Sequence, residues 1–273
     1  MALLRQPKPP SIASKLQGPL FIDLIKYLVV LAAVTWLMIN GTQQLGYHWQ
    51  WYRVPQYIFS MTDNRLAPGP LIQGLLITIR ITAVSLLLAF VFGLTAALMR
   101  LSRSLLARII ARGYLEIIRN TPLLVQLFFI YFVLGPVLDI SGFTSAVLAL
   151  SLFEGAYASE IFRAGIISIQ KGQWEAAFSI GLNRLQTYRR VILPQALRRI
   201  LPPLASQAVS LIKDSALVST IAIYDLTMQG QAIVAETFLV FEIWFTVAAI
   251  YLVLTLALSV SVFFMESRLK IDA

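Results

Sequence analysis

Six long apolar segments constrain the fold of this chain more than any other feature of its sequence. They cover residues 21–39, 71–98, 115–134, 143–167, 200–223 and 238–265. Each is close to or longer than the ~20 residues that a helix needs to cross a bilayer. The third contains Pro122 near its start, which is expected to break or open the helix rather than end it. The sequence therefore predicts an all-α, polytopic membrane protein with about six transmembrane helices.

The composition supports a membrane protein and excludes several other classes. Hydrophobic residues make up 58% of the chain and charged residues only 13%, whereas soluble domains average about 25% charged residues. The net charge of +9 does not indicate nucleic acid here, because basic residues of membrane proteins accumulate in cytoplasmic loops. The chain has no cysteine and one histidine, His48. A disulfide framework, a Cys/His metal site and a Ser-His-Asp triad are therefore excluded.

The basic residues alternate between loops and predict the orientation. They cluster before the first span, after the second, after the fourth and in the C-terminal tail, for example at Arg5, Lys8, Arg103, Arg184 and Lys270. The loops at 135–142 and 224–237 contain no Lys or Arg. Because cytoplasmic loops carry the excess of basic residues, both termini are expected in the cytoplasm.

The loop after the first span is rich in aromatic residues, with Trp49, Trp51, Tyr52 and Tyr57 close together. Trp and Tyr concentrate at membrane interfaces. We expect a short interfacial segment on the outer face of the membrane, with ligand stacking as the alternative. Residues 1–70 are thus predicted to form a cytoplasmic tail, a first transmembrane helix and this loop.

A polar, basic hairpin at residues 174–194 lies between two apolar segments. Glu175, Ala176 and Ala177 are expected to start a helix, since acidic residues favour the first turn. Gly181 is suited to end that helix. Asn183 is expected to cap a second short helix, Arg184 to Ile192, that Pro194 stops. The structural alternative is an ordinary basic loop that only orients the protein.

The hairpin resembles the Glu-Ala-Ala loop of the permease subunits of binding-protein-dependent ABC importers. The run Arg119-Asn120-Thr121-Pro122-Leu123-Leu124-Val125-Gln126 is similar to the Pro-Leu-x-x-Gln signature of the polar amino-acid permeases. Residues 155–166, 172–177 and 211–219 resemble the histidine, glutamine and arginine permeases of the same group. The resemblance covers residues 71–265. It implies a five-helix permease core within residues 71–273, so the first helix is an extra N-terminal one.

The resemblance also implies a function and a set of partners. The chain is expected to be the transmembrane subunit of an ATP-driven importer in the bacterial inner membrane that moves polar amino acids from periplasm to cytoplasm. It implies an ABC ATPase subunit dimer at the hairpin, a second permease subunit and a periplasmic amino-acid-binding protein. ATPase coupling is assigned to Glu175, Ala176, Ala177, Gly181, Leu193 and Pro194.

Energy is expected to come from outside this chain. No G-x-x-x-x-G-K-[ST] run, the motif of an ATP-binding loop, occurs in the sequence. ATP and Mg²⁺ are therefore expected to bind to the partner ATPase. This chain is expected to be neither an enzyme nor a protein that binds a cofactor. A related solute, such as an opine or a compatible solute, is one alternative substrate. An ion-coupled secondary transporter is the alternative class, but it needs no docking hairpin.

Five charged residues fall within the apolar segments: Arg80, Glu154, Glu160, Lys213 and Asp214. Charges there are costly and are functional candidates by default. An amino acid needs an anion for its ammonium and a cation or donors for its carboxylate. Substrate binding is therefore assigned to Glu154, Tyr157, Arg80, Thr121, Gln126 and Asp214.

Structural alternatives accompany these assignments. Glu154 and Arg80 could instead pair with each other and fix helix packing. Lys213 and Asp214 are neighbours that face apart on a helix, so a structural role would need a separate partner for each. Glu160 and Arg163 are three residues apart and can meet on one helix face. This pair is assigned to packing or to a gate near the hairpin.

Overall fold

The computed structural model describes residues 12–44, 46–62 and 65–269, and their side chains over 22–41, 46–60 and 67–267. Contacts divide the chain into two compact units, Met1–Trp49 and Gln50–Ala273. The predicted boundary after residue 70 differs from this division, because residues 55–58 pack on the helices that follow them. The basic positions Arg5, Lys8 and Lys270 lie outside the described residues.

The described part of the first unit is dominated by one long helix, α1 (Ile12–Gln44). Its apolar stretch Ile22–Gly41 has 20 residues, enough to cross a bilayer. The side chains of this stretch are exposed or half-buried within the unit. A helix that is apolar all round requires lipid or another protein around it.

The second unit begins with a short compact segment, at a place where the sequence predicts a short interfacial segment but no strands. A 3₁₀ turn (Trp51–Arg53) and the one-turn helix α2 (Pro55–Ile58) lead into strand β1 (Phe59–Thr62), which pairs antiparallel with β2 (Arg65–Pro68). The otherwise all-α fold thus contains one two-stranded hairpin. Tyr57 and Ile58 pack on a buried cluster around Leu71, which anchors the segment to the helices.

The centre of the second unit is the contact between α3 (Pro70–Leu101) and α7 (Gly142–Ile167). Small residues let the two backbones approach closely: a Cβ on Gly93 would lie 2.7 Å from Ala158 Cβ and 2.9 Å from Gly155 O. In a window long enough to span a membrane, 67% of α7 is buried, compared with 28% of α3. Helix α7 is therefore the central helix of the unit.

The third predicted span is sharply bent. Helix α4 (Leu105–Arg119) is followed by α5 (Leu123–Phe128), a π-helical segment (Phe129–Leu134) and α6 (Gly135–Leu138), and the two halves meet at 107°. The residue before a proline disfavours helical geometry, so Pro122 breaks the helix at this point. The prediction of one span over 115–134 is wrong, because residues 115–119 belong to a different helix direction.

The remaining helices follow α7 in chain order. They are α8 (Lys171–Ser179), α9 (Arg184–Thr187), a π-helical turn (Tyr188–Ile192), α10 (Leu193–Asp214), a 3₁₀ segment (Ser215–Ile221), α11 (Leu226–Thr237) and α12 (Val240–Leu269). Asp225 caps α11 by accepting a hydrogen bond from Met228 N (2.8 Å). Burial raises the pKa of this carboxyl group to about 6.

The polytopic, all-α class is confirmed, but the number of spans needs correction. Over the described ranges, four helices are long and apolar enough to cross a membrane, or five if the bent pair counts as one span. The predicted span at 200–223 is absent from this set. Its helix α10 contains the charged residues Arg198 and Arg199 in its first half, ends at Asp214 and continues only as a 3₁₀ segment.

Widening the α3–α7 contact should destabilise the fold. Gly93→Leu would force a side chain against the α7 backbone, and overpacking of this kind costs roughly 1–3 kcal/mol. The matched control is Gly113→Leu, since a Cβ on Gly113 meets no atom within 4 Å. We expect the midpoint of thermal unfolding of the detergent-solubilised protein to fall only for Gly93→Leu. Equal midpoints for the two variants would contradict the proposed close packing.

Candidate functional site

The first half of the hairpin is helix α8, and Gly181 ends it as predicted. Gly181 has φ +82°, a left-handed conformation that glycine adopts at little cost. Its amide donates to Phe178 O (3.0 Å), and the Leu182 amide donates to Ala177 O (3.1 Å). These bonds satisfy carbonyl groups at the helix end. Glu175 lies in the middle of α8 rather than at its start, because the helix already begins at Lys171.

The second half of the hairpin is capped by Asn183, as predicted. Asn183 Oδ1 accepts from Gln186 N (2.9 Å), and Gln186 Oε1 accepts from Asn183 N (3.0 Å). This reciprocal arrangement is a capping box. The predicted stop at Pro194, directly after Leu193, is wrong. The π-helical turn (Tyr188–Ile192) continues without a break into α10. Pro194 lies in the first turn of α10, where its missing amide hydrogen costs little.

The base of the hairpin is fixed to α7 by apolar packing. Ile192 and Ala196 share a buried cluster with Phe162 and Ala158 of α7. The rings of Trp174 and Tyr188 meet edge to face, with centroids 4.8 Å apart. The hairpin and the lower part of α7 therefore form one packed body.

The tip of the hairpin, in contrast, is apolar and exposed. Phe178 is 45% exposed, Ile180 76% and Leu185 77%. The side chains of Glu175 and Ala176 are also exposed, whereas Ala177 is buried. Three large apolar side chains at the end of a polar hairpin indicate a surface that another protein covers.

A buried polar cluster lies between α7 and α10. Glu154 is only 1% exposed, and its Oε2 accepts a hydrogen bond from the side chain of Gln207. The carboxyl group of Asp214 lies close enough to interact electrostatically with that of Glu154. The other oxygen of Glu154 is buried and has no hydrogen-bond partner in the described part of the chain. The cluster thus has acceptor groups available for a cationic partner.

The predicted proximity of Arg80 to Glu154 is not found. Arg80 is exposed on α3, and none of the ion pairs between described side chains includes it. The alternative prediction, that Arg80 and Glu154 pair and fix helix packing, is therefore wrong. Lys213 lines a separate cavity with Ser206 and Ser259, between α10 and α12.

The predicted Glu160–Arg163 pair is present, and a second arginine joins it. Glu160 Oε1 accepts from Arg163, and Glu160 Oε2 accepts from Arg100 in the last turn of α3. Sequence spacing could indicate the first pair but not the second, because Arg100 and Glu160 are 60 residues apart. The three side chains tie the hairpin-side ends of α3 and α7 together.

Thr121 and Gln126 hold the bend at Pro122. Gln126 Nε2 donates to Ile118 O (2.7 Å) and to Thr121 Oγ1 (2.8 Å), so it satisfies groups that the broken helix leaves free. Tyr157 lines a polar cavity, where the guanidinium group of Arg119 lies 5.6 Å from the centre of its ring.

Together these features define a class: a polytopic, all-α membrane subunit with a protein-docking hairpin and buried polar groups. The chain belongs to the family of binding-protein-dependent transport system inner membrane components, which it matches over residues 89–271. It is thus a permease subunit of an ABC importer, and the resemblance drawn from the hairpin is confirmed.

Two curated relatives and one solved structure show which members of this family the chain resembles. The chain is 44% identical over 204 residues to the glutamine transport system permease protein GlnP of Escherichia coli (strain K12), covering 74% of this chain and 93% of the relative. It is 42% identical over 199 residues to the L-cystine transport system permease protein TcyB of Bacillus subtilis (strain 168), covering 72% and 85%. A crystal structure of an amino acid ABC transporter with histidines has a TM-score of 0.69 and 40% identity, covering 73% of this chain and 94% of that chain.

Proposed function

We propose that this permease imports polar amino acids and is driven by separate ATPase subunits that bind its hairpin. The observation that carries the proposal is the exposed apolar tip formed by Phe178, Ile180 and Leu185, on a base packed against α7. ATP and Mg²⁺ are bound by the ATPase dimer, which receives the tip in a complementary cleft. Movement of the ATPase subunits is then transmitted to α7 without any covalent chemistry in this chain.

The orientation of the proposal follows from charge. The hairpin exposes Arg184, Arg189 and Arg190, and basic residues favour the cytoplasmic side of the membrane. The hairpin, both termini and the ATPase subunits therefore lie in the cytoplasm. A periplasmic amino-acid-binding protein delivers the substrate to the opposite end. Lipid and a second permease subunit cover the exposed apolar helix faces, such as that of α12, of whose span-length window only 6% is buried.

Polar amino acids are supported as substrates by the buried cluster and by the relatives. Two carboxyl groups and the amide of Gln207 suit an ammonium group, and the second oxygen of Glu154 is available to accept from it. The relatives are named for glutamine and cystine transport, both of which are α-amino acids. We assign ammonium recognition to Glu154 and Asp214, with Gln207 as the residue that positions Glu154.

Loss of the apolar tip should uncouple transport. In the double variant Ile180→Asn/Leu185→Asn, the tip loses two side chains whose burial is worth about 1.5–3 kcal/mol each. We expect the affinity for the ATPase to fall by roughly 100-fold, and uptake by the reconstituted complex to fall with it. Co-purification of the ATPase with the tagged permease and ATP-dependent uptake are the two measurements.

The control for this experiment is Ser179→Asn, which changes an exposed polar residue of the same hairpin. It should retain the ATPase and transport at the level of the unmodified chain. Since the altered side chains are exposed, insertion of all variants should be unchanged. An Ile180→Asn/Leu185→Asn permease that retains its ATPase and transports normally would exclude docking through this tip.

Removal of the Glu154 charge should alter substrate recognition. Glu154→Gln preserves size and hydrogen bonding but leaves Asp214 as the only anion proposed to meet the substrate ammonium. We expect uptake to fall roughly tenfold, as for loss of a charge-assisted hydrogen bond, with the largest effect on cationic amino acids. Uptake of a panel of labelled amino acids at matched protein levels measures this.

Glu236→Gln is the matched control, because Glu236 is an exposed glutamate on α11. Since Arg80 does not contact Glu154, adding Arg80→Gln should not restore the uptake that Glu154→Gln loses. If Glu154→Gln leaves both rate and selectivity unchanged, Glu154 has no part in recognition.

A further inference from the structure

The polar cavity that Tyr157 lines lies on the hairpin side of the Glu154 cluster. It has a volume of about 340 Å³ and lies between the end of α3, the polar face of α4 and α7. Its polar lining is contributed by Arg100, Arg112, Glu116, Arg119, Asn120 and Tyr157. Tyr157 is one helical turn from Glu154 on the same helix. The cavity therefore lies along α7 between the buried carboxyl groups and the hairpin.

The charge of the lining favours an anionic ligand. Three arginines face one glutamate, so the cavity has an excess of positive charge. Arg100 is already engaged by Glu160, and Arg119 lies over the ring of Tyr157. Arg112 is exposed, and among the described side chains it enters no ion pair. Its guanidinium group is thus free to bind an oxyanion.

The lining also contains a group for a cation at a suitable spacing. Arg112, Glu116 and Arg119 follow one another at helical positions i, i+4 and i+7, which share one face of α4. Glu116 accepts a hydrogen bond from Asn120 Nδ2 (3.0 Å), which fixes its orientation. Neighbouring positive and negative groups on one face match the adjacent carboxylate and ammonium groups of an α-amino acid.

We propose that this cavity is a second station for the transported amino acid, on its route from the Glu154 cluster to the cytoplasm. Arg112 and Arg119 bind the α-carboxylate, and Glu116 binds the ammonium group. This inference rests on the proposed amino-acid import. Arg100 joins the cavity to Glu160, so a carboxylate in the station competes with the ion pair that ties α3 to α7.

Equilibrium binding to the intact permease–ATPase complex tests the proposal. The complex is placed in phosphatidylcholine nanodiscs and titrated with labelled L-glutamine, L-histidine and L-arginine, and with their methyl esters, which lack the carboxylate. We expect two binding components. Arg112→Gln should weaken one of them by roughly tenfold or more, as for loss of a charge-assisted contact, whereas Glu154→Gln should weaken the other. The methyl esters should lose the component that depends on Arg112.

Arg103→Gln is the control, since Arg103 is exposed in the connection between α3 and α4 and does not line the cavity. It should bind as the unmodified complex does. An unchanged isotherm for Arg112→Gln, or equal binding of acids and methyl esters, would overturn the station. So would mass spectrometry showing that Arg112→Gln removes a bound anionic phospholipid and leaves amino-acid binding intact.

The same preparation separates this inference from the proposed function. If the complex imports amino acids with ATP but shows no component that depends on Arg112, only the second station is wrong. If it imports none of the three amino acids, the proposed function itself fails, and the station fails with it.

Discussion

The rest of the structure depends on the close approach of α3 and α7. Between membrane helices the surrounding lipid removes most of the hydrophobic driving force, so association relies on close packing of small residues and on polar contacts. Gly93 and Gly155 provide the first, since a Cβ on either would lie 3.0 Å or less from the facing helix. The bridge from Arg100 to Glu160 provides the second. Together they bury α7 more completely than the other long helices.

Because α7 is buried, its polar residues contact several neighbouring parts of the structure. Glu154 faces α10, Tyr157 lines the polar cavity between α3, α4 and α7, and Glu160 forms an ion pair with the end of α3. The same helix then leads into the hairpin, whose base packs on Phe162. A force on the hairpin tip therefore reaches α7 through packed side chains rather than through a flexible loop. This arrangement explains how a chain proposed to lack its own ATPase can respond to one.

Local features of the sequence predicted local structure well. Gly181 and Asn183 act as expected, because a left-handed helix end and a capping box depend on a few adjacent residues. Pro194 did not end its helix, because the preceding wide turn changes the backbone that a proline must fit. The partners Arg100 and Gln207 were missed, since each meets α7 from a distant part of the chain. The pairing of Arg80 with Glu154, kept open as an alternative, fails for the same reason, because opposite charges in two apolar segments do not show which helix faces meet.

The central claim is that ATP hydrolysis by a separate subunit, acting through the hairpin, drives this permease. The most direct measurement is uptake of labelled L-glutamine into proteoliposomes that contain the permease, its ATPase and its binding protein. Ionophores are added to dissipate ion gradients, and ATP is supplied or withheld. The account predicts uptake that requires ATP and is unaffected by the ionophores. Uptake that proceeds without ATP, follows an imposed ion gradient and stops with the ionophores would contradict it.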